Sequence, residues 1–226
     1  MSLRAAVLGH PISHSKSPAL HLAAYAKLGA DIGYTAIDVT EESLPAFMES
    51  VRAEPGWRGL SVTMPLKKAM VREVDEVRGV AQVLGVINTV VFEGAGESAR
   101  RLGYNTDVAG IVNALRNAGA AEAPVAVVLG GGGTAAAAAA ALRELGARSV
   151  AVYVRDTGRA AEVRAAASGL AMEIAVRPMT EAVAALAGAD VVISTLPPRA
   201  ADGMAAEFEA LGAPADGCLL YTSRCV

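Results

Sequence analysis

Cysteine is close to absent: the 226-residue sequence holds two, Cys218 and Cys225, both within its last ten positions. That scarcity argues against a disulfide framework and against thiolates at metal-ligand spacing. Histidine is nearly as scarce, and the spacing of His10, His14 and His21 matches no zinc signature, so no metal is expected. Charged residues make up only 19% of the chain and sum to a net −3. Lys and Arg are scattered and form no basic stripe, which argues against nucleic acid or an anionic membrane surface as a partner. Long apolar runs are missing too. The longest low-complexity stretch, Thr134 to Ala141, is alanine following glycines and falls well short of the roughly 20 strongly apolar residues of a membrane span. Met1 to Arg4 lead directly into Ala5-Ala6-Val7-Leu8 with no secretion signal, so the expectation is a cytoplasmic protein whose partners are small molecules.

Hydrophobic residues, by contrast, make up 53% of the chain, enough to bury one large core or two smaller ones. The first hundred or so residues alternate strand-like and helix-like runs: Ala5 to Leu8, Pro18 to Leu28, Tyr34 to Val39, Leu44 to Val51, Leu60 to Thr63 and Lys67 to Val77. Ser17 is placed to cap a helix that has Pro18 at its first position, Leu20, Ala24 and Leu28 on one face, and Gly29 closing it. Thr40 before Glu41 and Glu42 marks a second helix start. A strand over Gly85 to Phe92 and a hairpin turn at Glu93 to Glu97 come next, followed by a helix with Val108, Ile111, Val112 and Leu115 at helical spacing. The second half alternates again: strand Val125 to Leu129, helix Thr134 to Leu145, strand Val150 to Val154, helix Arg159 to Ala167, a short strand near Ile174, helix Glu181 to Ala187 and strand Asp190 to Ser194. The fold class is α/β, with an N-terminal α/β domain over residues 1–107 and a Rossmann-like domain over 108–226 whose parallel sheet is covered on both faces.

Gly130-Gly131-Gly132-Gly133-Thr134 follows an apolar strand and precedes a helix. The run departs from G-x-G-x-x-G but meets the same demands: a tight turn, close backbone approach to phosphate, and exposed amides at a positive helix end. A purely structural glycine turn is the alternative. At the end of the next strand, Arg155 could pair with a 2'-phosphate. Asp156 would suit a free ribose hydroxyl if it pointed inward, or it caps the following helix. Ser15 and Ser17 flank Lys16 at a helix N-terminus suited to a carboxylate, which predicts an acidic ligand. Lys67 follows Thr63 and Pro65 just beyond a strand end, where α/β proteins gather ligands; alone it reads as a solvated charge, but Thr63, Asn88 and Asp107 accompany it. Asp107 could equally be a helix cap.

Taken together, these residues closely resemble the shikimate dehydrogenase family. The resemblance covers residues 4 to 196, through Gly9-His10-Pro11-Ile12-Ser13-His14-Ser15-Lys16-Ser17-Pro18, Ser61-Val62-Thr63-Met64-Pro65-Leu66-Lys67, Gly85-Val86-Ile87-Asn88-Thr89, Gly103-Tyr104-Asn105-Thr106-Asp107 and the glycine run. It implies an NADP-dependent reversible reduction of 3-dehydroshikimate to shikimate in aromatic amino-acid biosynthesis, by a monomer or homodimer. By the same resemblance Ser15 and Ser17 hold the substrate carboxylate, Thr63, Lys67, Asn88 and Asp107 bind the ring hydroxyls, and Ser61 stands at a substrate-binding position where a shorter side chain than the family's loses a ring contact. Lys67 and Asp107 are the catalytic pair. NADP phosphates fall at Gly130, Gly131, Gly132, Gly133 and Thr134, the 2'-phosphate near Arg155, and the nicotinamide side near Thr195 and Leu196. The chemistry agrees, since hydride delivered to a ketone makes an alkoxide that must receive a proton, and Lys67 can supply it.

The chain departs from the family at several positions. The family usually has Asn where Ser61 and Leu22 stand, and Asn-Arg-Thr where Val154-Arg155-Asp156 stands. It continues past Leu196-Pro197-Pro198 with further Rossmann strands and a helical return carrying a substrate-contacting glutamine. Here the expectation is a C-terminally truncated member, short by roughly 40 to 50 residues, in which Gly217 to Val226 is not the family's continuation. A quinate/shikimate dehydrogenase of broader specificity and an impaired dinucleotide-binding remnant are the alternatives.

Overall fold

The strand β1 (Leu3–Gly9) is buried on both faces from Ala5 onward, as a strand is only in the interior of a sheet covered on two sides. The computed structural model describes residues 3–94, 99–212 and 218–221. Two compact units compose it, one ending at Thr106 and the other opening at Asp107. Among the described residues no helix is long and apolar enough to cross a membrane.

In the first unit β1 is followed by α1 (Ser17–Leu28), β2 (Ile32–Asp38), α2 (Leu44–Ala53), β3 (Trp57–Val62), β4 (Glu76–Val77), α3 (Val80–Leu84), β5 (Thr89–Glu93) and β6 (Arg100–Tyr104). The strands form one sheet in the order β2-β1-β3-β5-β6-β4. β2 and β3 run parallel to β1, β5 is antiparallel to β3 and β6, and β4 is parallel to β6. The larger core lies on the α2 face, where Leu44, Met48 and Val51 recur at helical spacing and meet Leu8, Leu60, Leu66, Met70 and Ile87. α2 starts at Leu44, with Ser43 at its cap position and later than the start expected at Thr40; in the turn before it Thr40 Oγ1 accepts from the Ser43 amide at 3.2 Å and Ser43 Oγ accepts from the Thr40 amide at 3.0 Å.

Several local expectations for this unit are corrected. Ser17 is the first residue of α1, not its cap, and its amide donates to Ser15 Oγ at 3.2 Å. The face of α1 that carries Leu20 and Leu28 is the outer one, the two being 70% and 77% exposed. The inward side of α1 carries Ser17, His21 and Tyr25 instead, because His21 stacks on Tyr34 of β2. No helix spans Lys67 to Val77; a 3-10 turn, Ala69–Arg72, leads into β4. Tertiary partners divert the backbone groups that such a helix would use, since the Lys67 carbonyl accepts from Ile87 N–H and the Asp75 amide donates to the Arg101 carbonyl. The expected strand at Gly85 starts only at Thr89, because Gly85, at φ 63°, closes α3 in the left-handed conformation. Of the expected hairpin turn, residues 95–97 lie outside the described residues.

The second unit runs α4 (Asp107–Asn117), β7 (Val125–Leu129), α5 (Gly133–Glu144), β8 (Ser149–Val154), α6 (Ala161–Gly169), β9 (Ala175–Pro178), α7 (Ala182–Leu186), β10 (Val191–Ser194), α8 (Asp202–Ala210) and β11 (Cys218–Tyr221). Its sheet, in the order β11-β10-β7-β8-β9, is parallel throughout. This is the Rossmann-like arrangement the alternation predicts. α4 buries Val108, Ile111, Val112 and Leu115. Every alanine from Ala135 to Ala141 in α5 is buried, since a helix without bulky side chains can lie close to its neighbours. α6 begins at Ala161, later than expected, after a 3-10 turn at Thr157–Arg159. Cys218–Tyr221, within the segment read as unlike the family, continues the sheet as a strand parallel to β10. Residues 222–226 lie outside the described residues.

Candidate functional site

β5 runs against its neighbours, so its first residue lies at the same sheet edge as the last residues of β1, β3 and β6. Ser61, Thr89 and Tyr104 stand abreast in the register. The Asn88 carbonyl accepts from Val62 N–H at 2.8 Å, and the Asn88 amide donates to the Tyr104 carbonyl at 3.0 Å. The side chain of Asn88 ties the following segments together: Oδ1 accepts from the Thr106 amide and the Thr89 hydroxyl, both at 2.9 Å, and Nδ2 donates to Thr106 Oγ1 at 3.0 Å. Lys67 is half-buried beside them, its carbonyl accepting from Ile87 N–H at 2.8 Å. The Thr63 amide donates to the Leu8 carbonyl at 2.9 Å. The Thr63 methyl group packs so closely on Gly9 that a Cβ there would come within 2.4 Å of it, which explains the glycine.

The loop carrying Ser15 and Ser17 leaves this edge from Gly9 and is anchored at both sides. The His10 amide donates to the Met64 carbonyl at 3.1 Å. Asp38 at the end of β2 contacts His10 Nδ1 at 2.7 Å and accepts the Ile12 amide at 3.3 Å. The hydrogen bond from His10, foremost, holds the Asp38 carboxyl below its ordinary range. Ser61 Oγ accepts from the Tyr34 hydroxyl at 2.7 Å. Ser15, Ser17, Ser61, Thr63, Lys67 and Asn88 therefore all belong to the first unit and to its carboxyl-end edge. Asp107 is the next residue after Thr106 and opens α4.

In the second unit the glycine turn follows β7 and meets the end of β10, the point from which crossovers leave in opposite directions. Gly130 has φ 113°, and a Cβ on it would lie 2.2 Å from Thr195 Oγ1. Thr195 is fixed there by donating to the Leu129 carbonyl at 2.8 Å. Gly131 passes Val154, with a Cβ position 2.7 Å from its Cγ1. Gly132 caps α5 without a side-chain bond, so the first amides of a twelve-residue helix follow a bare backbone turn, with Gly133 and Thr134 inside it. This is a cradle suited to phosphate oxygens. Leu196 packs at the fringe of the Val127, Leu129 and Tyr153 cluster. Arg155 is exposed just past β8. Asp156 Oδ1 accepts from the Gly158 amide at 2.9 Å, which caps the 3-10 turn Thr157–Arg159 and not α6, whose cap position is Ala160.

Sequence reasoning passed over Tyr34, His21, Thr106 and the His10–Asp38 pair. Thr106 stood within a quoted motif, and its carboxamide partner is 18 residues away. Tyr34 and His21 read as ordinary strand and helix residues; the sheet order brings Tyr34 to Ser61, and His21 reaches the Ser17 carbonyl one turn back along α1.

Comparison with known proteins agrees with this layout. The family model of the shikimate dehydrogenase substrate binding domain matches residues 7–90, and that of shikimate / quinate 5-dehydrogenase matches residues 113–200. The shikimate dehydrogenase (NADP(+)) of Rubrobacter xylanophilus is 38% identical over 189 residues, covering 83% of this chain and 65% of its own. The crystal structure of Mycobacterium tuberculosis shikimate dehydrogenase superposes with a TM-score of 0.81 at 34% identity, over 97% of this chain and 87% of that one. Thermus thermophilus shikimate 5-dehydrogenase, in complex with NADP(H) and shikimate, superposes with a TM-score of 0.72 at 36% identity, over 86% of this chain and 68% of that one. The chain spans between 52% and 65% of the length of the curated relatives it matches. Two family models in order, a shared two-unit fold and a third of the residues in common place it: the chain belongs to the shikimate dehydrogenase family.

Proposed function

We propose that this chain catalyses the NADP-dependent, reversible reduction of 3-dehydroshikimate to shikimate, a cytoplasmic step of aromatic amino-acid biosynthesis. The observation that carries the reading is the single sheet edge that gathers Ser61, Thr63, Lys67 and Asn88 with the Ser15–Ser17 loop. Ser15 and Ser17 at the start of α1 receive the substrate carboxylate through hydroxyl and amide donors. Thr63 and Asn88 address the ring hydroxyls, and Asp107, peptide-bonded to Thr106, accepts from the same region. When bound, the nicotinamide supplies a hydride to the ketone carbon. The Lys67 ammonium gives a proton from Nζ to the oxygen as charge builds on it, and in the reverse direction the neutral amine takes the proton of the shikimate hydroxyl.

On the cofactor side, Gly130 to Thr134 receive the pyrophosphate at the start of α5. The engagement of Asp156 by the Gly158 amide supports NADP over NAD, because it leaves Arg155 as the group available to a 2'-phosphate. The test is shikimate-dependent reduction of NADP+ followed spectrophotometrically on the whole chain, with NAD+ in parallel. Absence of turnover would leave a dinucleotide-binding remnant, and a clear NAD+ preference would overturn the cofactor assignment. The description of the second matching family model includes quinate; turnover of quinate in the same assay supports the broader specificity.

A further inference from the structure

Aromatic residues make up 4% of the chain, yet two tyrosines and a histidine meet behind Ser61. Tyr34 is 5% exposed, and its hydroxyl donates to Ser61 Oγ at 2.7 Å. The bond spans β1. Tyr34 stands opposite Ala5 on one side of that strand and Ser61 opposite Val7 on the other, so the phenol crosses where a small side chain leaves room. His21 of α1 stacks on this ring, centroids 4.0 Å apart and planes 10° from parallel, and Tyr25 sits edge-on to His21. His21 Nδ1 lies 2.9 Å from the Ser17 carbonyl; a carbonyl only accepts, so Nδ1 carries the hydrogen. A continuous path of contacts thus runs from Ser17 through His21 and Tyr34 to Ser61.

We propose that Tyr34 is a positioning residue that fixes the Ser61 hydroxyl and directs its hydrogen outward, so that Ser61 donates to an acceptor oxygen of the acidic substrate alongside Ser15 and Ser17. A serine hydroxyl has one hydrogen and two lone pairs. With the phenol donating into one lone pair, the hydrogen of Ser61 is directed away from Tyr34. Burial raises the Tyr34 pKa, which keeps the phenol protonated, and therefore a donor, across the neutral range. The stack on His21 holds the first turn of α1 and Ser61 in one geometry.

This inference rests on the proposed function, and its test separates the two. Shikimate binding by calorimetry and steady-state kinetics are measured on the parent chain, Tyr34→Phe, Ser61→Ala and the double variant, with Tyr25→Phe as the control for the aromatic cluster. Tyr34→Phe is expected to weaken shikimate binding and raise its KM about tenfold, the scale of one lost hydrogen bond to a charged group. The change in kcat and in the KM for NADP+ stays within about twofold. The double variant loses no more than Ser61→Ala alone, and Tyr25→Phe matches the parent. If Tyr34→Phe does not fold, 4-fluorophenylalanine at position 34 removes the donor while keeping the ring. A Tyr34 variant that binds shikimate as the parent does, or whose loss adds to that of Ser61→Ala, overturns the inference alone. A parent chain that binds no shikimate overturns the proposed function and this inference with it.

Discussion

Gly130 is where one added methyl group would do most harm. Its φ of 113° lies in a region only glycine occupies readily, and its missing Cβ faces Thr195 Oγ1. Gly130→Ala is expected to cost about 1–3 kcal/mol of stability, read as a lower urea midpoint for the second unit; an unchanged midpoint would show that the turn can be relaid around a side chain. Lys67 is the residue to which the proposed function assigns the proton. Lys67→Ala should lower turnover by about 10²- to 10⁴-fold, the usual contribution of a positioned proton donor, while shikimate affinity by calorimetry moves little. Near-parental turnover would remove Lys67 from catalysis. Both residues were legible because their meaning lies in short motifs. Tyr34 was not, because its partner Ser61 lies 27 residues away across another strand, and spacing carries no trace of such a bond.

At the scale of elements, the departures from expectation share a cause. The run Lys67 to Val77 has helical character, yet its backbone groups are claimed by Ile87 and Arg101. Tertiary hydrogen bonds outweigh a propensity worth only tenths of a kcal/mol per residue. α1 turns its leucines outward because the stack of His21 on Tyr34 decides which side faces the sheet. In the second unit, Asp190 links the start of β10 to that of β7. Its carboxylate accepts the Val125 amide at 2.8 Å and a guanidinium N–H of Arg148 at 3.1 Å, and these bonds, the amide foremost, hold its pKa below the usual range. A carboxyl group more acidic in the folded than in the unfolded chain stabilises fully above its unfolded pKa, and loses that contribution as pH falls through the lower folded value. Asp190→Asn should therefore melt below the parent at neutral pH, and the two melting temperatures should converge on acidification through the carboxylate range. A gap that persists unchanged into acid would show that the charge of Asp190 contributes nothing.

At the scale of the whole molecule, the division at Thr106 and Asp107 separates the residues assigned to the acid, all but Asp107, from those assigned to the dinucleotide. Each unit has its own hydrophobic cluster, so each ligand should stabilise chiefly the unit that holds it. Amide hydrogen exchange is the direct measurement. Shikimate is expected to protect the Gly9–Ser17 loop and the Thr63–Lys67 turn, and NADP+ the amides of Gly130 to Thr134. Shikimate protection confined to the second unit would reverse the assignment of ligands to units.

Alternating apolar runs were enough to define an α/β chain with a parallel second sheet, because strands and helices stamp their own periods on a sequence. Motif chemistry was enough to single out Lys67, Asn88, the serines and the glycine turn. The tertiary structure alone decided that β5 lies beside β3, where the Asn88 carbonyl meets Val62 N–H, and that Tyr34 reaches Ser61 across β1. Those outcomes depend on which strands become neighbours and on whose hydrogen bonds are claimed first, and neither quantity is local in the chain.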